Sequence, residues 1–143
     1  MNERKVTEVH KGETTLVEEG GVAYVQGGGS AYVFMGGWAY VQKGGSAYVQ
    51  NGGTTYVYEG GRAFVDEGGM AHIYEGGTTN VRKGGRANVY KGGKVYVEKG
   101  GTAFVYEGGE AWVEKGGVAY AYEGGWTYVN EGGRAYIRKD DDW

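Results

Sequence analysis

The residues that could perform nucleophilic or acid–base catalysis are few in this sequence. It has two histidines, His10 and His72, two serines, Ser30 and Ser46, and no cysteine. A catalytic triad or a metal centre needs several such groups to converge, and these four are scattered along the chain. The run that begins at Gly27 and includes Ser30 lacks the lysine and the following helix of a phosphate-binding loop. The sequence therefore predicts no enzyme, no catalytic or metal-binding residues and no cofactor.

A regular series of aromatic residues is more informative. Every eighth residue from Tyr24 to Tyr136 is Tyr, Phe or Trp, except for three consecutive positions, His72, Asn80 and Asn88. Exposed aromatic ladders can bind sugars, pack against another subunit or stiffen a sheet, and these alternatives stay open. The three exceptions predict a polar belt, which is either a binding groove or ordinary variation at exposed positions. The candidate interaction surface consists of Tyr32, Tyr56, Phe104, Tyr128, Tyr40, Phe64, Trp112 and Tyr136.

These residues belong to an eight-residue repeat that is punctuated by pairs of glycines. The first glycine recurs at every eighth residue from Gly12 to Gly132, and the second is missing only at Glu13. Counted from the residue after the pair, position 2 is mostly Ala and position 4 is mostly Val, whereas positions 1, 3 and 5 are aromatic, polar or charged. This alternation is typical of a strand with one buried face, and the glycines suit a corner. The short fixed period predicts an all-β, single-domain parallel β-solenoid, also called a β-helix.

The number of octads in one coil is less clear from the sequence. Position 5 carries Tyr at a spacing of 16 residues, from Tyr58 to Tyr122, which favours two octads per coil. Position 1 favours three, because Thr54, Thr78 and Thr102 recur at a spacing of 24. An antiparallel meander is a further alternative, although its Ala and Val face would be thin for a barrel of so many strands.

Charge favours three octads per coil, which is our prediction. At a spacing of 24 residues, opposite charges stack along position 6, whereas a spacing of 16 puts Glu98 directly against Glu114. Three octads per coil would also place Arg82 between Tyr58 and Tyr106 as a cation–π sandwich.

The repeats divide the chain into three predicted parts. These are an N-terminal cap and degenerate turn (1–11), the octapeptide-repeat solenoid (12–139) and an acidic C-terminal tail (140–143). The 15 basic and 18 acidic residues are interleaved and sum to a net charge of −3, so no nucleic-acid partner is expected. No apolar run approaches the roughly 20 residues of a membrane span. No signal peptide is visible, which favours a cytoplasmic, leaderless or phage-borne protein over a classically secreted one and leaves the localisation open.

The pattern Gly-Gly-x-Ala-x-Val-x-x-Gly-Gly, over roughly residues 12 to 139, resembles the passenger repeats of self-associating autotransporter adhesins. That resemblance implies a β-helix whose extended surface serves adhesion or self-association. Calcium-binding RTX repeats also begin with Gly-Gly, but each carries an Asp, and Asp66 is the one Asp within the repeats here. We therefore predict a non-enzymatic, adhesion-like or self-associating scaffold, with a homo-oligomer or a surface or glycan partner. The alternatives are a purely structural cytoplasmic or phage-borne element, natural or designed, and a carbohydrate-binding surface.

Overall fold

The computed structural model describes residues 6–138, which form short strands joined by tight turns and include no helix. The strands have four residues each, except β15 and β17, which have five. They are β1 (Val6–Val9), β2 (Thr14–Val17), β3 (Val22–Val25), β4 (Ser30–Val33), β5 (Trp38–Val41), β6 (Ser46–Val49), β7 (Thr54–Val57), β8 (Arg62–Val65), β9 (Met70–Ile73), β10 (Thr78–Val81), β11 (Arg86–Val89), β12 (Lys94–Val97), β13 (Thr102–Val105), β14 (Glu110–Val113), β15 (Val118–Tyr122), β16 (Trp126–Val129) and β17 (Arg134–Arg138).

The strands alternate between two parallel sheets. The odd-numbered strands form a nine-stranded sheet and the even-numbered strands an eight-stranded sheet. Each strand pairs with the strand two places further on, so that Tyr40 lies beside Tyr56 and Val41 beside Val57. One coil therefore contains two octads. The predicted parallel β-solenoid is confirmed, and the prediction of three octads per coil is wrong.

The charge argument failed because exposed charges contribute little. Glu98 and Glu114 do occupy equivalent positions after the paired strands β12 and β14. The side chain of Glu98 is 46% exposed, and solvent screens such a like-charge contact to a few tenths of a kcal/mol at most. The predicted sandwich of Arg82 between Tyr58 and Tyr106 is also wrong, because Arg82 follows β10 in the opposite sheet. Its guanidinium lies instead 5.2 Å from the centroid of the Phe64 ring.

The core is a thin layer of Ala and Val between the two sheets. Position 2 and position 4 side chains point inward and are buried over most of the chain, and Ile73 is the largest fully buried side chain. Full burial of each Val contributes about 1.5–3 kcal/mol. In the last described coil, Val129 is 46% and Ile137 is 78% exposed. Within the predicted cap 1–11, β1 pairs with β3 and its Val9 side chain is buried. The predicted tail 140–143 lies outside the described residues.

The two glycines of a pair serve different purposes at each corner. Gly60 has φ +76°, the left-handed conformation that glycine adopts most readily, and its N–H donates to the carbonyl of Gly76 in the next coil. The N–H of Gly61 donates to the Tyr58 carbonyl at 2.8 Å and closes a β-turn. A Cβ on Gly61 would lie 2.6 Å from the carbonyl oxygen of Val41 in the preceding coil. The first glycine allows the turn, and the second allows successive coils to approach each other.

Replacing Thr79 by Val is expected to stabilise the fold by about 1 kcal/mol, because the hydroxyl of Thr79 is buried and has no hydrogen-bond partner in the described part of the chain. Val is accepted at this position, since Val95 is its neighbour in the register of β10 and β12. The matched control is Thr55→Val, where the hydroxyl donates to the Ala39 carbonyl at 3.1 Å. Urea titration measures both free energies of unfolding. A gain for Thr55→Val equal to that for Thr79→Val would contradict the assignment.

Candidate functional site

The nine-stranded sheet carries two adjacent columns of aromatic rings on its outer surface, which we call the aromatic face. The first column, at position 3, has ring centroids 5.0–5.4 Å apart. The second column, at position 5, runs unbroken from Tyr58 to Tyr122 with centroids 4.6–5.2 Å apart. These distances follow from the strand spacing of about 4.8 Å in a parallel sheet. The rings of the two columns are Tyr24, Tyr40, Tyr56, His72, Phe104, Tyr120, Tyr136, Tyr58, Tyr74, Tyr90, Tyr106 and Tyr122.

Charge is nearly absent from the aromatic face. Among the outward positions 1, 3 and 5 of strands β3 to β15 in this sheet, Arg86 is the one Asp, Glu, Lys or Arg residue. Its guanidinium lies 5.7 Å from the centroid of the Phe104 ring. Depletion of charge together with enrichment in aromatic residues is characteristic of the centre of a protein–protein interface.

The outer surface of the eight-stranded sheet, which we call the charged face, differs in composition. Its single aromatic column stacks at 5.0–5.3 Å and is interrupted once, at Asn80. Arg82 lies between two carboxylates, 3.8 Å from Asp66 and 3.9 Å from Glu98. The charged residues at positions 1 and 5 of strands β4 to β14 are Arg62, Asp66, Arg82, Lys94, Glu98, Glu110 and Glu114.

The structure divides the predicted interaction residues between the two faces. The aromatic face holds Tyr40, Tyr56, Phe104 and Tyr136. The charged face holds Tyr32, Phe64, Trp112 and Tyr128. The position-5 column from Tyr58 to Tyr122 was not among the predicted site residues, although its spacing of 16 residues is visible in the sequence.

The predicted polar belt is divided in the same way. His72 and Asn88 are neighbours on the aromatic face, and Asn80 lies on the charged face. The Nδ1 atom of His72 is 3.4 Å from both the Asn88 amide nitrogen and the Tyr90 hydroxyl. Burial lowers the pKa of His72, so its ring is neutral at pH 7. The Asn88 amide therefore has a side-chain neighbour in its own column on the aromatic face.

Residues 6–138 contain neither a cluster of metal-ligating side chains nor a helix suited to a bilayer. No group of three or more His, Asp or Glu side chains in that range is placed to hold a metal ion. The described residues also offer no helix long and apolar enough to span a bilayer.

The comparisons with known proteins include a match to a solved structure. No protein-family model matches the chain, and no curated protein matches it significantly. The chain resembles a TibA fragment. That structure is the TibC-catalysed hyper-glycosylated fragment 55–350 of TibA, to which this chain is 33% identical with a TM-score of 0.52. The match covers 92% of this chain and 60% of the fragment, so the chain spans less than two thirds of the fragment's length.

The aromatic face predicts a loss of stability in alkaline solution. The pKa of Tyr106 is raised to about 12 by burial, by a hydrogen bond with Tyr122 and by neighbouring tyrosines. Burial also raises the pKa of Tyr58, Tyr74 and Tyr90. The folded chain therefore holds these protons more tightly than the unfolded chain, where the tyrosine pKa is about 10. The free energy of unfolding should fall as the pH rises from about 10 towards about 12.

Tyrosinate absorbance and urea titration at a series of pH values measure this effect. The variant Tyr106→Phe should show a smaller fall over the same pH range. Titration of all fourteen tyrosines together at the pKa of a free phenol would contradict the assignment.

Proposed function

We propose that this chain is a non-enzymatic, adhesin-like scaffold that self-associates through its aromatic face. The likeness to the TibA fragment supports an adhesin-like solenoid scaffold. The observation behind self-association is the pair of adjacent aromatic columns, where Arg86 is the one Asp, Glu, Lys or Arg residue at positions 1, 3 and 5 between β3 and β15. A contiguous apolar surface of this kind on a protein usually marks an interaction site.

The size of the aromatic face suits a second copy of the chain. The eight strands β3 to β17 that carry its rings, about 4.8 Å apart and each contributing five residues of about 3.3 Å, give a footprint of roughly 630 Å². A typical stable interface buries about 800 Å² on each partner. Two such flat surfaces can pack against each other about a twofold axis, which is the commonest symmetry of homo-oligomers.

The stacked rings are also ordered before any partner binds. Tyr74, for example, is stacked between Tyr58 and Tyr90 at 5.1 Å on either side, so its rotamer is restricted before a partner arrives. Side chains that are ordered in the free protein lose less conformational entropy on binding. Tyrosine adds large contact area and a hydroxyl that can form a hydrogen bond at the edge of the interface.

Sedimentation velocity on two matched variants tests this proposal. The first variant replaces Tyr40, Tyr74 and Tyr106 on the aromatic face by Ser. The second replaces Tyr32, Tyr48 and Tyr96 on the charged face by Ser. We expect the wild type and the charged-face variant to form oligomers, and the aromatic-face variant to sediment as a 15.4 kDa monomer.

Circular dichroism separates association from stiffening of the sheet. Loss of assembly with retained strand content supports an interface, whereas equal unfolding of both variants would mean that the rings serve to stabilise the sheet. Equal assembly of the two variants would contradict the proposal.

A further inference from the structure

The aromatic column on the charged face is interrupted beside a surface cavity. Asn80 stands where a ring would be, between Phe64 and Tyr96, and a cavity of about 470 Å³ lies at this point. Its lining includes Arg62, Thr78 and Lys94 as well as the two rings. We call this cavity the Asn80 notch. On the opposite face the amide of Asn88 contacts His72 at 3.4 Å and Met70 at 3.8 Å, so the two interruptions of the ladders are not alike.

The two aromatic walls of the Asn80 notch belong to strands that are separated by one intervening strand. Phe64 and Tyr96 belong to β8 and β12, which pair with β10 on its two sides. In the uninterrupted parts of this ladder, neighbouring ring centroids lie 5.0–5.3 Å apart. One flat ring placed between Phe64 and Tyr96 would stack with the spacing of the rest of the column after displacing the Arg82 guanidinium, which lies 5.2 Å from the Phe64 ring centroid.

The inner end of the notch offers unused hydrogen-bonding groups. Neither the Asn80 amide nor the Thr78 hydroxyl makes a side-chain hydrogen bond to any other residue in the range 6–138. Both side chains are half-buried. They can donate to, and accept from, the polar edge of a bound ring.

One rim of the notch is positively charged. Arg62 and Lys94 flank Thr78 in the register of β8, β10 and β12. Neither cation forms a salt bridge with the described residues, and the Lys94 ammonium lies 5.9 Å from the centroid of the Trp112 ring. At the other rim, Arg82 is already held between two carboxylates. The Trp112 ring belongs to β14, beyond Tyr96, and Glu110 is the neighbour of Lys94 in that register. An anionic group on a ligand would therefore be attracted first to Arg62, and to Lys94 when its side chain turns towards the notch.

We propose that the Asn80 notch is a binding site for a flat aromatic ring that carries an anionic group. The ring stacks between Phe64 and Tyr96, its polar edge meets Asn80 and Thr78, and its anion lies against Arg62 and Lys94. A free aromatic acid has this chemistry. A tryptophan next to aspartates on another protein chain also combines an aromatic ring with anionic groups. The sequence Asp-Asp-Asp-Trp occurs in this protein at residues 140–143. The site lies on the face opposite to the proposed self-association surface and does not depend on it.

Titration of the full-length wild type, followed through the side-chain amide resonances of Asn80, tests the site without any mutation. The first arm compares indoleacetate with neutral indoleacetamide, and the second compares the peptide Asp-Asp-Asp-Trp with Asn-Asn-Asn-Trp. We expect the acidic probe of a pair to shift these resonances and to bind about tenfold more tightly than its neutral partner. Response to indoleacetate alone identifies a free acid as the source, and tighter binding of the peptide identifies a protein segment. Failure of both acidic probes to shift the resonances would overturn the proposal.

Three variants locate the bound ring and its anionic group. Asn80→Tyr fills the gap and should abolish binding of indoleacetate, whereas the matched change Asn88→Tyr on the aromatic face should leave the affinity unchanged. The double change Arg62→Gln and Lys94→Gln should weaken indoleacetate about tenfold and leave indoleacetamide unaffected. Retained binding in Asn80→Tyr, or equal loss for the two probes in the double variant, would overturn the assignment.

Discussion

Gly61→Ala is expected to lower the free energy of unfolding by about 3 kcal/mol, the upper part of the range for an overpacked site. The new Cβ would lie 2.6 Å from the carbonyl oxygen of Val41 and 2.9 Å from its Cγ1 atom. The oxygen belongs to the backbone of the preceding coil and cannot rotate away, so two coils must move apart. Urea titration of the variant against the wild type measures the loss.

Gly20→Ala is the matched control for this effect. Gly20 has φ +77°, but a Cβ there meets no atom within 4 Å. The free energy of unfolding should therefore fall only by the cost of placing alanine in the left-handed conformation, about 1–2 kcal/mol. A larger loss for Gly20→Ala than for Gly61→Ala would show that turn conformation, rather than contact between coils, is the main reason for the glycine pair.

Ile73→Ala is expected to cost about 2–4 kcal/mol, because it removes the largest fully buried side chain from a thin core. The opposing sheet cannot collapse into the space left behind, since its position is set by coils above and below. Ile73→Val should cost less, about 0.5–1.5 kcal/mol, because Val occupies the same position of the octad in the neighbouring strands β7 and β11.

Ile137→Ala provides the control at the same position of the octad. Ile137 is 78% exposed, so its truncation should change the free energy of unfolding by less than about 0.5 kcal/mol. Equal losses for Ile73→Ala and Ile137→Ala would contradict the described packing of the last coil. Both are measured by urea titration under the same conditions.

The sequence of a single octad predicts the strand, the corner and the side of the strand on which each side chain lies. Ala at position 2 and Val at position 4 predict the buried face of every strand, and the glycine pair predicts the corner, because these are local properties of eight residues. The number of octads in a coil is not local, since it depends on which octads stack. The Tyr58–Tyr122 series indicated the correct spacing of 16 residues, and the weaker preference of exposed charges was given too much weight.

The number of octads per coil decides which aromatic residues share a face, so the candidate site was predicted only in part. The sequence identified the outward rings and the three exceptions, His72, Asn80 and Asn88. With three octads per coil, Tyr32 and Tyr56 would be neighbours, whereas the structure puts them on opposite faces. The contrast between an aromatic and a charged face appears only when odd and even octads are separated. The Asn80 notch further depends on where side chains such as Arg82 and Lys94 point, which the sequence pattern does not determine.

The solution mass of the full-length wild type, measured by light scattering over a concentration series, tests self-association through the aromatic face most directly. We predict that the mass rises with concentration from 15.4 kDa to a discrete dimer or a larger assembly. Salt should strengthen or leave unchanged an interface with so little charge, which distinguishes it from contacts through the charged face. A mass of 15.4 kDa at every concentration would contradict the account.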